Sequence, residues 1–208
     1  MKLIKQVLLY FFIVLFLVNC DNKDDILVPE FKLSKADELD SNEYQIYSLI
    51  LNEKFTASND LVINQKTSKS VSFTVSFATN YIQPLKTEFP NLDTTIFTTL
   101  VESNVLAYNL DNKFTTSTKT ITLVSSEELQ YLFNSNDVNQ GWSDFNKKYP
   151  NSNGIIKMSR VGFSSDKSQA IVAVEHYYGS LGADGLLIYL IKEQNNWRII
   201  KTINPWVS

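Results

Sequence analysis

The 208-residue sequence predicts an α+β domain in which N-terminal helices pack on a C-terminal four-strand antiparallel meander, with room for one or two N-terminal strands at its edge. Three observations lead there. Apolar residues recur at three- and four-residue spacing in the first half of the chain and at alternate positions after about residue 155. The connections between the late runs are too short for a parallel return, which needs about a dozen residues, so those neighbours are antiparallel. A content of 44% hydrophobic and 20% charged residues suits a packed globular chain. It excludes a disordered tail protein, a collagen-like repeat and a multi-span membrane protein.

Lys2 and Lys5 precede an unbroken apolar run from Val7 to Val18. That run falls short of the roughly 20 residues a helix needs to cross a hydrocarbon core. Residues 1–19 therefore read as a signal peptide, a basic stretch followed by a short apolar one. The run closes on Leu17-Val18-Asn19-Cys20. These four residues resemble the lipobox of bacterial lipoproteins, in which a leucine three places before an obligatory cysteine guides cleavage. The resemblance implies that Cys20, the one cysteine of the chain, receives acyl chains such as palmitate. Two or more such chains, at about 0.8 kcal/mol per buried methylene, hold a protein on a bilayer without spanning it. Lys23, Asp24 and Asp25 resemble the tag that places some Gram-negative lipoproteins on the outer face of the outer membrane. Asp21, directly after the cysteine, resembles an inner-membrane retention signal instead. Three residues against one favour the cell surface.

Without Lys2 and Lys5 the basic residues fall from 19 to 17 against 22 acidic ones, a net charge near −5. Such a chain has no cationic footprint for nucleic acid. Residues 20–41, the lipidated cysteine and an acidic stretch containing Pro29, read as a tether, with an apolar patch from Ile26 to Phe31 suited at most to a sheet edge. A single domain then covers 42–208, long enough to bury about two thirds of its unfolded surface. With Cys20 acylated no thiol remains for a disulfide, so packing alone must hold it.

Within the domain, Tyr47, Ile50, Leu51 and Lys54 give a helix from Glu43 to Phe55 that Asn42 can cap. Leu61–Ile63 suggests a short strand. Phe73–Phe77 alternates with Ser and Thr like a half-buried strand, although the same segment could enter the next helix. Ile96, Phe97, Leu100, Val101 and Val105 form one face of a helix from Asp93 to about Ala107. Thr118–Val124 alternates as a strand, and Ser125 with Glu128 then forms a capping box that opens a helix through Phe133. Trp142 and Phe145 mark a helix from Val138 to Tyr149, stopped by Pro150. Ile155–Phe163, Gln169–Tyr178, Gly185–Lys192 and Asn196–Val207 are the four late strands, separated by turn-forming residues. One sheet face is left for the helices to cover.

Trp142-x-x-Phe145-x-x-x-Tyr149-Pro150-x-Ser152-x-Gly154 and Ser159-Arg160-Val161-Gly162-Phe163 are followed by a strand at Ala170, a glycine-rich turn, Trp197 and a terminal Trp206-Val207-Ser208. Together they resemble an uncharacterised family of exported bacterial domains, whose opening Tyr44–Leu51 and Leu61–Thr67 also fit. The similarity spans most of residues 43–208 and implies no activity. Relatives often carry cysteine in the turn occupied here by Gly179 to Gly185, so a thiol role there cannot apply to this chain.

His176 is the only histidine and so the sole side chain with an unperturbed pKa near neutrality. A hydrolytic triad would combine it with Ser159 or Ser180 and with Glu175 or Asp184, although no nucleophile-elbow pattern surrounds either serine. The bland alternative is a packed strand histidine. Gly179, Gly182 and Gly185 precede a strand rather than a helix, so they read as hairpin glycines with positive φ, not as a phosphate loop. No metal and no cofactor are expected. One histidine and no free thiol fail the usual zinc sets, and Asp37, Glu38, Asp40 and Glu43 read as a solvated acidic face. Arg160 sits in an apolar strand and calls for a carboxylate, Glu175 or Asp144, unless it contacts an anion or a partner. Tyr177, Tyr178 and Trp206, with Arg160, are the candidate recognition residues. The preferred reading is a surface lipoprotein domain that binds an envelope or extracellular partner. A hydrolase using His176 and an inhibitor or immunity-type protein are its rivals.

Overall fold

Asp40 opens the first helix. Its carboxylate accepts the Asn42 amide at 2.9 Å, so α1 (Ser41–Lys54) is capped by Asp40 rather than by Asn42. The computed structural model describes residues 29–134 and 137–208; Cys20, its lipobox and the Lys23, Asp24 and Asp25 tag lie outside them. A short strand β1 (Asp60–Asn64) follows α1. The Phe73–Phe77 segment is helical, α2, because Ser72 Oγ accepts the Val75 amide and the turn brings Val75 and Ala78 to the interior. Its alternation of apolar and hydroxyl residues is thus no strand. A 3₁₀ turn (Ala78–Tyr81), α3 (Ile82–Glu88) and α4 (Thr95–Ser103) lead to strand β2 (Thr120–Val124). Ser125 Oγ then accepts the Glu128 amide at 3.1 Å to start α5 (Ser126–Leu132), followed by α6 (Val138–Lys148). The remaining strands are β3 (Ser152–Met158), β4 (Gly162–Phe163), β5 (Gln169–Tyr177), β6 (Ala183–Glu193) and β7 (Asn196–Val207).

The chain is mixed α+β, but its sheet is larger than a four-strand meander. Seven strands run in the order β2-β1-β3-β5-β6-β7, with β4 beside β5. β1 is parallel to both β2 and β3, while the pairs from β3 through β7 are antiparallel. The helices between β1 and β2 and between β2 and β3 supply the long returns that parallel pairing needs. The run from Ile155 to Phe163 is broken between Met158 and Gly162, where the chain turns a corner.

Helices cover both faces of the sheet rather than one. Ala170, Val172 and Val174 of β5 face α1, together with Leu61, Ile63, Ile156 and Ile188. Ile171 and Ala173 face the layer of α2 to α4, against Ile96, Phe97 and Leu100. A third cluster places Phe145 of α6 over Val62, Val124 and Ile155. Burial on both sides makes β5 an unbroken apolar run. Gly162 lets α4 approach closely, since a Cβ there would stand 2.2 Å from the Ile96 carbonyl oxygen.

The compact unit begins at Phe31, ahead of the boundary expected at residue 42. The Gln65 amide clasps the backbone of Ser34, accepting its N–H at 2.9 Å and donating to its carbonyl at 2.8 Å. Asp37 and Asn109 exchange two further hydrogen bonds. Part of the expected tether is therefore a strap laid on the domain. Among the described residues no helix is long and apolar enough to cross a membrane.

Candidate functional site

Alternation along β5 sends adjacent side chains to opposite faces of the sheet, which separates Glu175 from His176. Glu175 is buried on the α2 side, where its carboxylate accepts from Ser68 Oγ at 3.2 Å and from the Tyr177 hydroxyl at 2.8 Å. Burial, and then the neighbouring carboxylate, push the Tyr177 phenol well above its ordinary pKa. His176 faces α1 instead, opposite Asp184 of β6 in the antiparallel register.

A cavity of about 260 Å³ opens where α1 ends. Phe55 and Ser58 of the turn after α1 form one wall, with Leu61 of β1 and Ile156 of β3 beneath. Asn153 and Gly154, His176, Asp184, Leu186 and Thr202 complete it. Lys119 Nζ ties the turn down by donating to the carbonyls of Phe55 and Ser58 at 2.6 and 3.0 Å. The Phe55 ring meets the imidazole edge-on at 5.3 Å between centroids, and Tyr178 packs at 5.0 Å.

The polar geometry of this cavity is uneven. His176 Nε2 lies 2.6 Å from the Asn153 carbonyl oxygen, which accepts its proton. That carbonyl is aimed by Gly154, whose φ of 109° and whose contact with the Tyr177 backbone, 2.1 Å from a built Cβ, exclude any side chain. His176 Nδ1 stands 3.5 Å from Asp184 Oδ1, an ion-pair distance without a hydrogen bond. Asp184 Oδ1 and Thr202 Oγ1 are both buried and both without a hydrogen-bonding partner among the described residues. Buried polar atoms are ordinarily satisfied, so these two leave hydrogen-bonding capacity open on one cavity wall.

The other sequence-predicted residues are spent on structure. Ser159 is fully buried in the ladder, its Oγ donating to the Arg160 carbonyl at 2.8 Å and accepting the Ala173 amide at 2.9 Å. Ser180 is exposed at the tip of the β5–β6 loop, which the Tyr178 and Gly182 backbones close. Gly179 and Gly182 lie in the β5–β6 hairpin loop as expected, but among the described glycines Gly154 alone has a positive φ, which corrects the backbone reason given for Gly179, Gly182 and Gly185. Gly185 instead makes room for Trp206, whose Nε1 would lie 2.2 Å from a Cβ there and donates to Thr74 Oγ1 at 2.9 Å. Of the four recognition candidates only Tyr178 is exposed, close to Leu181 at 87% exposure.

Arg160 pairs with neither Glu175 nor Asp144 but with Glu43 of α1, 117 residues earlier in the chain. Its Nε reaches the two carboxylate oxygens at 3.0 and 2.8 Å and its Nη2 reaches Oε1 at 2.6 Å. Glu43, 1% exposed, also accepts the Val161 amide at 3.1 Å. The single proton of the Tyr47 hydroxyl is shared between Glu43 Oε2 at 3.1 Å and the Ser159 carbonyl at 2.9 Å. Burial first, then Glu43, push that phenol far above its ordinary pKa. The Arg160 guanidinium lies 4.4 Å above the Tyr108 ring, and Asn104 Oδ1 accepts the Arg160 amide at 2.7 Å. This is a fully satisfied corner. Of the expected solvated acidic face, Glu38 is exposed, Asp37 serves the strap, Asp40 caps α1 and pairs with Lys167, and Glu43 is instead buried against Arg160.

Sequence reasoning found His176 and Asp184 but missed Asn153, Phe55 and Thr202. Gly154 was the available signal, because a glycine just inside a strand marks close backbone approach. Thr202 carries no local signal, since only the β6–β7 register brings it to the cavity. In comparisons with known proteins, no family model, no curated protein and no solved structure matches the chain.

Proposed function

We propose that the protein is an exported lipoprotein, acylated at Cys20 and displayed on the cell surface, whose folded domain is a non-catalytic binding module for an envelope or extracellular ligand. On this reading it belongs with the exported bacterial domains that its Trp142 to Gly154 and Ser159 to Phe163 motifs resemble. The observation that carries the binding role is the setting of His176. Both ring nitrogens face acceptors, Asp184 and the Asn153 carbonyl, beside an open cavity. A general base needs a nitrogen in reach of the hydroxyl it activates, and Ser159 and Ser180 are placed elsewhere.

Cells grown with radiolabelled palmitate are expected to yield labelled protein, and Cys20→Ser is expected to abolish the label and release the chain from the membrane pellet. An unlabelled chain that sediments equally well with serine at position 20 overturns the anchor. The purified chain is expected to leave a panel of chromogenic esters and amides intact. Hydrolysis that His176→Ala abolishes would establish the hydrolase in its place.

A further inference from the structure

We infer that the cavity at the end of α1 is a binding site for a small alkylammonium ligand, seated on Asp184 Oδ1 and His176 Nδ1. The inference deepens the binding role proposed above and rests on it.

The hydrogen-bond inventory leads to the ligand class. A neutral imidazole has one N–H, and the 2.6 Å contact assigns it to Nε2 and the Asn153 carbonyl. Nδ1 then presents a lone pair toward Asp184 Oδ1, 3.5 Å away, and that oxygen has no donor of its own among the described residues. Two acceptors 3.5 Å apart on one cavity wall are met together by a group with at least two donors, seated beside them on the cavity side. A hydroxyl offers one proton and a carboxylate none, whereas a primary ammonium offers three and also balances the carboxylate charge. A primary amine is cationic at neutral pH, with an ordinary pKa near 10.4 for an alkylamine of the lysine type.

The rest of the ligand follows from the walls. Asp184, Leu186 and Ile188 share one face of β6, and Thr202 of β7 stands opposite Ile188. The two orphan oxygens are therefore separated by Leu186, with Leu61 and Ile156 beneath and Phe55 alongside. An ammonium at the Asp184 end extends into an apolar middle, which suits a short alkyl chain. Lys54 at the rim is exposed and leaves the interior to Asp184.

The single histidine makes the test direct, because its ring protons give an isolated NMR signal inside the site. The full-length chain, purified from membranes in detergent, is titrated with n-pentylammonium, n-pentanol and pentanoate at pH 8. The expected result is a saturable shift of the His176 resonances with n-pentylammonium, at an affinity at least about tenfold above that for either control. Asp184→Asn is expected to weaken n-pentylammonium binding at least about tenfold, with the thermal melt confirming the fold. Binding of n-pentanol or pentanoate as tight as that of n-pentylammonium, or binding that Asp184→Asn retains, overturns the ligand class and leaves the binding role standing. A cavity that none of the three probes enters overturns the ligand class as well.

Discussion

The two ends of α1 meet the same face of the sheet in opposite ways. At the N-terminal end, Glu43 is held by Arg160, the Val161 amide and Tyr47, while Asp40 caps the helix and pairs with Lys167. At the C-terminal end, Asp184 and His176 stand 3.5 Å apart beside a cavity of about 260 Å³, with two of its buried oxygens unmatched among the described residues. Each end joins a carboxylate to a basic side chain. A satisfied buried pair locks geometry, whereas an unsatisfied one holds interaction capacity in reserve. The comparison separates structural charge from available charge in one small domain.

Removing one partner at each end has unequal consequences. Arg160→Ala leaves Glu43 buried and uncompensated, with an expected loss of about 3–5 kcal/mol in unfolding free energy. Asp184→Asn removes a charge that already lacks a hydrogen-bonding partner and is expected to cost no more than about 1 kcal/mol. Urea unfolding followed by tryptophan fluorescence measures both. Equal losses at the two ends would dissolve the distinction.

A smaller effect sharpens the N-terminal half. The Lys167 hydrogen bond, chiefly, holds the Asp40 carboxyl down to about 2, against an ordinary 3.8. As pH falls the unfolded chain therefore takes up this proton first, so folding loses the contribution between about pH 4 and pH 2 and keeps it whole above. Solvent screening at this half-exposed pair reduces the electrostatic share to about 1 kcal/mol, and the lost cap adds a similar amount. Asp40→Ala should thus be less stable than wild type by about 1–2 kcal/mol at pH 7. That gap should narrow toward the cap contribution near pH 2 in acid-range urea titrations.

Legibility in the sequence follows the range of the interactions. The α1 periodicity, the Ser125–Glu128 cap and the late strands depend on residues a few positions apart, so local pattern exposes them. Phe73–Phe77 misleads because its alternation is real, yet the Ser72 cap and the burial of Val75 and Ala78 decide for helix. The parallel edge of β2, β1 and β3 was hidden because strands of five residues carry no mark of their partner. Arg160 announced that it needed a carboxylate. Which one depends on where α1 lands, and Glu43, 117 residues away, carries no local sign of the pairing that Glu175 and Asp144 suggest. The cavity was half legible: His176 stands out as the only histidine, while Asn153 and Thr202 join it solely through strand register.

The smallest effect falls on the other orphan and discriminates best between a defect and a site. Thr202 Oγ1 is buried without a partner among the described residues, so its desolvation cost is met by no hydrogen bond from them. Thr202→Val replaces that hydroxyl with a methyl of nearly the same shape beside Ile188, its register partner. The variant is therefore expected to match or exceed wild-type stability, by up to about 1 kcal/mol, in thermal and urea unfolding without ligand. A stabilising substitution at a cavity wall is what a chain shows when it retains a polar group for a purpose other than folding. A loss of stability instead would mean that the hydroxyl already has a partner in solution, such as an ordered water, and the far end of the cavity would then belong with the satisfied corner at Glu43.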